Sequence, residues 1–173
     1  MEKRTLVLKG RLWVLSRDGE LISDIDTDMI YHNAHLAVTD VSKMGQYAFG
    51  NLKGYEEFAK QARPGDMVLA GANFGSGSSR QHAVDCFKAL GVQAVIARSF
   101  GAIYKRNAIN SALPVLEIPA LADKAFAHFE QVEIDLGTGT LRGPSGSVQG
   151  KPMSGVARDI YMAGGLFEFA RGE

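Results

Sequence analysis

Two adjacent serines followed by an arginine are the residues of this chain whose types and spacing best suit chemistry. Ser78, Ser79 and Arg80 follow a glycine-rich segment and open a predicted helix. A helix start offers unpaired N–H groups and about half a positive charge, so it attracts an anion. Arg80 in the first turn is unfavourable unless an anion offsets its charge, and its planar fork suits a carboxylate or a phosphate. The sequence therefore predicts an anion-binding site beside two hydroxyl groups.

The same segment also has a purely structural interpretation. Ser78 fits the cap position of a helix, and Gln81 fits the position that reaches back in a capping box. The glycines before them would let the backbone approach a ligand closely, but they also suit a simple turn. The segment is not a Walker loop, because no Lys-Ser or Lys-Thr pair follows the last glycine. It is not a dinucleotide fingerprint either, because Arg80 stands where a glycine should.

The elements around this segment predict a βαβ unit. Three apolar runs typical of buried strands occupy residues 67–70, 92–97 and 115–118. From Ala83 to Leu90, apolar residues recur at i, i+3, i+4 and i+7, which indicates a helix that begins at Ser78 and ends at Gly91. A further helix is expected after Ser99. Strand, helix and strand at this spacing imply parallel pairing of the strands.

The rest of the chain extends this α/β pattern. Further strands are predicted over residues 5–15 and 132–136, and further helices over residues 41–49, 56–62, 120–129 and 154–163. A Gly/Pro/Ser-rich loop is expected over residues 143–150. There is no repeat and no interdomain linker, so we expect a single domain over residues 1–173.

Composition excludes several classes of function. Nineteen basic and nineteen acidic residues leave no net charge and no basic stripe, so nucleic acid is not an expected partner. The apolar run Leu6-Val7-Leu8 is too short for a signal peptide or a membrane span, so we expect a cytoplasmic protein that contacts no membrane. The single cysteine, Cys86, cannot hold an iron–sulfur cluster, which takes several thiolates. Any cluster must therefore belong to another chain.

Three motifs in the same order resemble the aconitase superfamily and, within it, the small subunits of 3-isopropylmalate dehydratases. The segment from Asn73 to Ala83 resembles the serine-serine-arginine motif of the superfamily's swivelling domain. The remaining likeness to the small subunits lies in an acidic motif at residues 26–30 and in residues 97–100, 104–110 and 113–114. The resemblance implies one aconitase-type swivelling domain, a layered β/β/α fold with the βαβ unit at its core.

The resemblance also implies a reaction. Family members isomerise a hydroxy-dicarboxylate by dehydration and rehydration, and leucine biosynthesis uses this step. A [4Fe–4S] cluster on a separate large subunit serves as Lewis acid, so a small subunit is an active hydro-lyase only in the heteromer. By alignment, Ser78 as an alkoxide removes the proton from carbon, Arg80 pairs with a carboxylate, and Ser79 and Asp28 contact substrate. The division of labour between the two serines stays open.

The loop after the acidic motif is expected to select the substrate side chain. Homoaconitase-type proteins carry an arginine there, whereas this loop reads His35-Leu36-Ala37-Val38. An apolar loop suits an alkyl group better than a third carboxylate, because an unpaired buried carboxylate is costly. We therefore expect these four residues to bind 2-isopropylmalate and 3-isopropylmalate.

Several departures keep alternatives open. His35 stands where a tyrosine is usual, so 2,3-dimethylmalate, citramalate and homoaconitate are alternative substrates. The family usually has glutamate at Gln81 and commonly cysteine or glutamate at Ser76. A rival from another class is a non-catalytic module that binds phosphate or another anion at the same helix start.

Four polar residues near the acidic motif could be mistaken for a metal site. Asp26, Asp28, His32 and His35 match no strong ligand spacing, so we expect this chain to bind no metal. The alternative is a polar loop whose aspartates cap neighbouring backbone.

Other conspicuous residues have structural interpretations. Cys86 lies on the apolar helix face and is expected to be a buried thiol. His82 is expected to anchor the helix start rather than relay a proton to Ser78. Lys105 and Arg106 either face solvent or meet the partner subunit, and Trp13 is expected in the core.

Overall fold

One mixed sheet of seven strands organises the structure, a computed structural model that describes residues 3–172. The strands in chain order are β1 (Val7–Val14), β2 (Ser16–Arg17), β3 (Glu20–Leu21), β4 (Met67–Ala70), β5 (Ala94–Ala97), β6 (Val115–Glu117), β7 (Gln131–Asp135), β8 (Thr140–Gly143) and β9 (Gly146–Gln149). The sheet order is β6-β5-β4-β1-β7-β8-β9, and β2 pairs with β3 as a separate hairpin. Strands β6, β5, β4 and β1 are parallel, and the remaining pairs are antiparallel.

The helices connect these strands or close the chain. They are α1 (Thr27–Ile30), α2 (Phe58–Gln61), α3 (His82–Leu90), α4 (Ala102–Asn110), α5 (Gly155–Ala163) and α6 (Leu166–Arg171). Because α3 joins β4 to β5 and α4 joins β5 to β6, the predicted α/β class and parallel βαβ core are confirmed. No helix within residues 3–172 is long and apolar enough to cross a membrane.

Alternating side chains divide the core into one cluster on each face of the sheet. Successive strand residues point to opposite faces, so Trp13 of β1 enters one cluster while Leu12 and Val14 enter the other. Trp13 is 3% exposed, as expected, and its Nε1–H donates to Asp66 Oδ2 at 2.8 Å. Helix α3 covers the first cluster with Cys86, which is also buried as predicted.

The predicted end of α3 and the predicted start of α5 are confirmed. Helix α3 ends at Gly91, which has φ +76° and bonds back to the carbonyls of Phe87 and Lys88. Helix α5 begins after Ser154, whose side chain accepts from the N–H of Ala157.

Two predicted helices are wrong, and tertiary contacts explain both. Residues 41–49 form two short 3₁₀ turns; Asp40 caps the first, but the chain then bends to bury Phe49, which has φ +56°. Residues 120–129 form turns, because the Asp123 carboxylate accepts bonds from the Leu21 N–H and from Arg98. The predicted loop over 143–150 is mostly the hairpin of β8 and β9, and α6 was not predicted.

Candidate functional site

The serine segment lies at the edge of the sheet where β4 and β5 end. Residues 71–81 leave β4, and isolated parallel bridges join Asp26 to Ser76 and Phe74 to Phe100. Three connecting segments are thereby held side by side at the carboxyl ends of parallel strands. This edge is where open α/β sheets usually bind their ligands.

The glycine loop packs against the protein itself. Gly75 has φ +79°, and a Cβ built there would lie 2.2 Å from Cγ of Tyr104, so the close approach is to a core tyrosine. Its N–H donates to the Ile25 carbonyl at 2.7 Å. The expectation that these glycines let the backbone approach a ligand therefore needs correction at Gly75, where the close neighbour is a side chain of this chain.

The predicted helix start is wrong by four residues. Helix α3 begins at His82, and its cap residue, Gln81, makes no side-chain capping bond. Instead, Gln81 Nε2 donates to Ser111 Oγ at 2.7 Å and Asp85 Oδ1 at 3.1 Å. The Ser78 carbonyl accepts from Thr27 Oγ1 at 2.9 Å. This bond to the buried Thr27 holds Ser78 in the loop, so the capping box does not form and the Ser78 hydroxyl does not cap.

The two serine hydroxyls differ in their surroundings, although both side chains are exposed. Ser79 Oγ accepts from Asn107 Nδ2 of α4 at 3.3 Å. Within residues 3–172, no group hydrogen-bonds to the Ser78 hydroxyl. Asn107 and Thr27 have no role predicted from the sequence, although they lie in the motifs at residues 104–110 and 26–30. Their polarity within those motifs was the available signal.

The charge of Arg80 is offset by an anion of the chain itself. Its Nη1 donates to Asp28 Oδ1 at 3.0 Å and to the Tyr31 carbonyl at 2.6 Å, and the Arg80 side chain is 12% exposed. The N–H of Asn33, and then Arg80, hold the pKa of the Asp28 carboxyl below its usual value. The inference that Arg80 requires an external anion is therefore wrong, since Arg80 lies outside α3 and pairs with Asp28. No acceptor within residues 3–172 hydrogen-bonds to the Nε or Nη2 of Arg80.

The predicted specificity loop, which follows the acidic motif and contains His35 to Val38, is held at both ends by residues of the serine segment and of the start of α3. Arg80 donates to the Tyr31 carbonyl, and His82 Nε2 lies 3.0 Å from the Val38 carbonyl. His82, which was predicted to anchor the helix start, is the first residue of α3 and joins that start to this loop. The His35 ring is half-buried and stacks on Tyr47, with centroids 3.8 Å apart. Between these attachments, three apolar side chains reach solvent: Ala34, Leu36, which is 39% exposed, and Ala37. Val38 is partly buried against the core.

The residues that resembled a metal site have other partners. Asp26 caps α1 by accepting from the Met29 N–H, and His32 Nδ1 accepts from the Ala34 N–H. Among residues 3–172, no three His, Cys, Asp or Glu side chains are grouped to hold a metal ion. The residues do not fit an iron–sulfur cluster, because the one thiol, Cys86, is fully buried and burial raises its pKa.

Comparison with known proteins agrees with this architecture. The sequence pattern of the family described as aconitase C-terminal domain matches residues 22–121. The 3-isopropylmalate dehydratase small subunit of Aquifex aeolicus is 36% identical over 165 residues, 94% of each chain. That of Pyrobaculum calidifontis is 40% identical over 149 residues, covering 85% of this chain and 90% of the relative.

A solved structure extends the comparison to three dimensions. The crystal structure of 3-isopropylmalate dehydratase (leuD) from Methanocaldococcus jannaschii has a TM-score of 0.84 and 32% identity, covering 96% of this chain and 94% of that one. The mixed sheet with its serine segment at the strand ends is thus an aconitase-type swivelling domain. More narrowly, the chain belongs to the family of 3-isopropylmalate dehydratase small subunits.

Proposed function

We propose that this chain is the small subunit of a 3-isopropylmalate dehydratase and that, with a large subunit, it interconverts 2-isopropylmalate and 3-isopropylmalate. The small-subunit relatives, matched over most of their lengths, support this reaction. The observation that carries the proposal is the exposed Ser78 hydroxyl, which has no partner within residues 3–172 and lies two positions from Arg80. The reaction is a step of leucine biosynthesis.

In this proposal Ser78 is the base. Its alkoxide takes the proton from the substrate carbon, the C–H electron pair forms the C=C bond, and the hydroxyl leaves from the neighbouring carbon. Rehydration reverses these steps with the hydroxyl delivered to the other carbon. Because Ser78 does not cap a helix, its oxygen is available for this transfer.

Ser79 and Arg80 are proposed to hold substrate carboxylates. Since Asn107 donates to Ser79 Oγ, the Ser79 proton is free to point outward as a donor. Asn107 is therefore a positioning residue that separates the roles of the two serines. Arg80 uses Nη1 within the chain and offers Nε and Nη2 to a carboxylate, while Asp28 keeps the guanidinium in place.

Residues 3–172 alone do not supply the positive charge that would ionise Ser78. Helix α3 begins four positions after Ser78, and the charge of Arg80 is largely offset by Asp28. An alkoxide therefore needs additional positive charge, and we propose that docking of the large subunit supplies it. That subunit is also proposed to carry the [4Fe–4S] cluster, whose Lewis acidity would assist the departing hydroxyl.

The specificity loop supports an alkyl-substituted malate. Leu36 and Ala37 present exposed apolar surface, and the loop contains no arginine for a third carboxylate. We propose that Leu36 and Ala37 contact the substrate side chain and that His35 and Val38 line the same site. The rival anion-binding module rested on a helix start at Ser78, and the observed start at His82 removes that support. We further propose a cytoplasmic protein that forms one domain over residues 1–173.

Reconstitution tests the proposal. The purified chain is expected to show neither iron nor turnover, and adding a cluster-loaded large subunit should produce interconversion of the isopropylmalates. Parallel assays with homoaconitate, citramalate and 2,3-dimethylmalate should give lower kcat/KM. A complex that assembles with intact cluster but prefers one of those acids would refute the substrate assignment.

A further inference from the structure

A cavity separate from the serine segment lies between α4, β6 and α5. Its volume is 160 Å³. Most of its wall is apolar, and the apolar residues that line it include Ile109, Leu113, Met153 and Tyr161. A closed apolar cavity of about 150 Å³ in another protein holds benzene. The cavity is therefore large enough for an alkyl chain of about five carbons.

The polar end of this cavity carries an excess of positive charge. Lys105 Nζ lies 3.8 Å from Glu117 Oε1, and Lys151 Nζ pairs with the other oxygen of the same carboxylate. Two ammonium groups thus share one carboxylate, which leaves a net charge of one positive unit. The side chains of Lys105 and Lys151 are 40% and 62% exposed, so a ligand head group at this end can reach them from solvent.

We propose that this cavity binds a short aliphatic monocarboxylate, with its tail among the apolar side chains and its carboxylate at the lysine pair. The combination of a mostly apolar pocket and a few convergent polar groups is typical of small-molecule sites. The cavity faces the side of α4 that bears Lys105 and Ile109, whereas Asn107 lies about 200° around the helix from Lys105, at 100° per residue. The proposal is thus independent of the serine segment and of the reaction proposed there.

Calorimetric titration of the full chain tests the charge and size of the ligand. Hexanoate is expected to bind at one site at least tenfold more tightly than pentylammonium, which has the same pentyl tail, and than acetate, which has the same head group. Lys151→Ala should weaken hexanoate at least fivefold. Lys124→Ala, at an exposed lysine outside the cavity, is the matched control and should leave the affinity unchanged.

A cavity-filling variant tests the location. Ala157 lines the cavity, so Ala157→Leu should abolish hexanoate binding while circular dichroism and Tm show a folded protein. Should that variant fail to fold, the comparison of the three ligands and the Lys151→Ala variant still test the proposal, because neither places new atoms in the cavity. Equal affinity for hexanoate and pentylammonium, no hexanoate binding, or undiminished binding by folded Ala157→Leu would overturn the proposal. So would loss of binding when the large subunit is present, because that face would then be a subunit contact.

Discussion

Arg80 Nη1 lies 3.0 Å from Asp28 Oδ1, and this ion pair joins the serine segment to the acidic motif 52 residues earlier. The same nitrogen binds the Tyr31 carbonyl at the start of the specificity loop. One guanidinium therefore orients the proposed base, the proposed carboxylate site and the substrate-selecting loop relative to one another.

Removing the charge of Asp28 should lower stability in a pH-dependent way. In the unfolded chain this carboxyl titrates near 3.8, and in the folded chain its pKa is lower. Its contribution is therefore fully present above that value and is lost as the pH falls through the folded-state pKa. Asp28→Asn should cost about 0.5–1 kcal/mol at pH 7, the size expected for a partly exposed pair.

Urea unfolding at pH 7 and at about pH 3 measures this effect. The difference between wild type and Asp28→Asn should shrink at the lower pH. Asp159→Asn, at an exposed aspartate of α5, controls for general loss of charge. A difference that stays constant with pH would mean that the carboxylate charge is not the stabilising feature.

The two serines should respond differently to alanine substitution in the reconstituted complex. Ser78→Ala removes the proposed base and should lower kcat by about 10²–10⁴-fold. Ser79→Ala removes one hydrogen bond to a carboxylate and should mainly raise KM, by about tenfold. Steady-state kinetics separates the two effects, with exposed Ser147 changed to alanine as the control. Full activity of a folded Ser78→Ala complex would exclude Ser78 as the base.

Asn107 should act through Ser79. Asn107→Ala leaves Ser79 Oγ without its donor, so KM should rise by about threefold to tenfold with little change in kcat. The double variant with Ser79→Ala should be no worse than Ser79→Ala alone, because both remove the same interaction. Asn110→Ala, one turn further along α4, is the matched control. Strictly additive effects would show that the two side chains act independently.

Gly75 should tolerate no side chain. Gly75→Ala places a Cβ 2.2 Å from Tyr104 at φ +79°, and we expect a loss of about 2–4 kcal/mol in the free energy of unfolding. Gly54 has φ +92°, but a Cβ built there would have no atom within 4 Å among residues 3–172 apart from its chain neighbours, so Gly54→Ala should cost only the backbone term of about 1–2 kcal/mol. Chemical denaturation of both variants compares them directly. Equal losses would indicate that contact with Tyr104 contributes nothing.

Placing a charge on the specificity loop should impair use of an alkyl substrate. Leu36→Arg puts a guanidinium where the isopropyl group is proposed to bind, and kcat/KM for 3-isopropylmalate should fall by about 100-fold. Val41→Arg makes the same change at an exposed position just beyond the loop and should have little effect. Similar kcat/KM values for both variants would place the substrate side chain elsewhere.

Local sequence was sufficient for much of the framework. Continuous apolar runs predicted β4, and the runs at residues 92–97 and 115–118 contain all of β5 and β6. Gly91 and Ser154 marked one end of α3 and of α5 correctly. These features succeed because burial and capping depend on residues a few positions apart. The serine-serine-arginine motif likewise indicated the family that the comparisons confirm.

Long-range contacts account for what local sequence did not predict. Helix α3 begins later in the chain than the sequence predicts. The residues before it form a loop, in which Thr27 Oγ1 donates to the Ser78 carbonyl across 51 residues. Arg80 is neutralised by Asp28 across 52 residues, and Asn107 reaches Ser79 across 28. The capping pattern at Ser78 indicates only a local preference, worth about 1 kcal/mol. This preference is overridden when distant side chains hydrogen-bond to the same part of the backbone. The sequence alone thus identifies the residue types that suit the chemistry. The hydrogen-bond and ion-pair partner of each residue is decided by the tertiary structure, because the ends of the strands bring distant segments together.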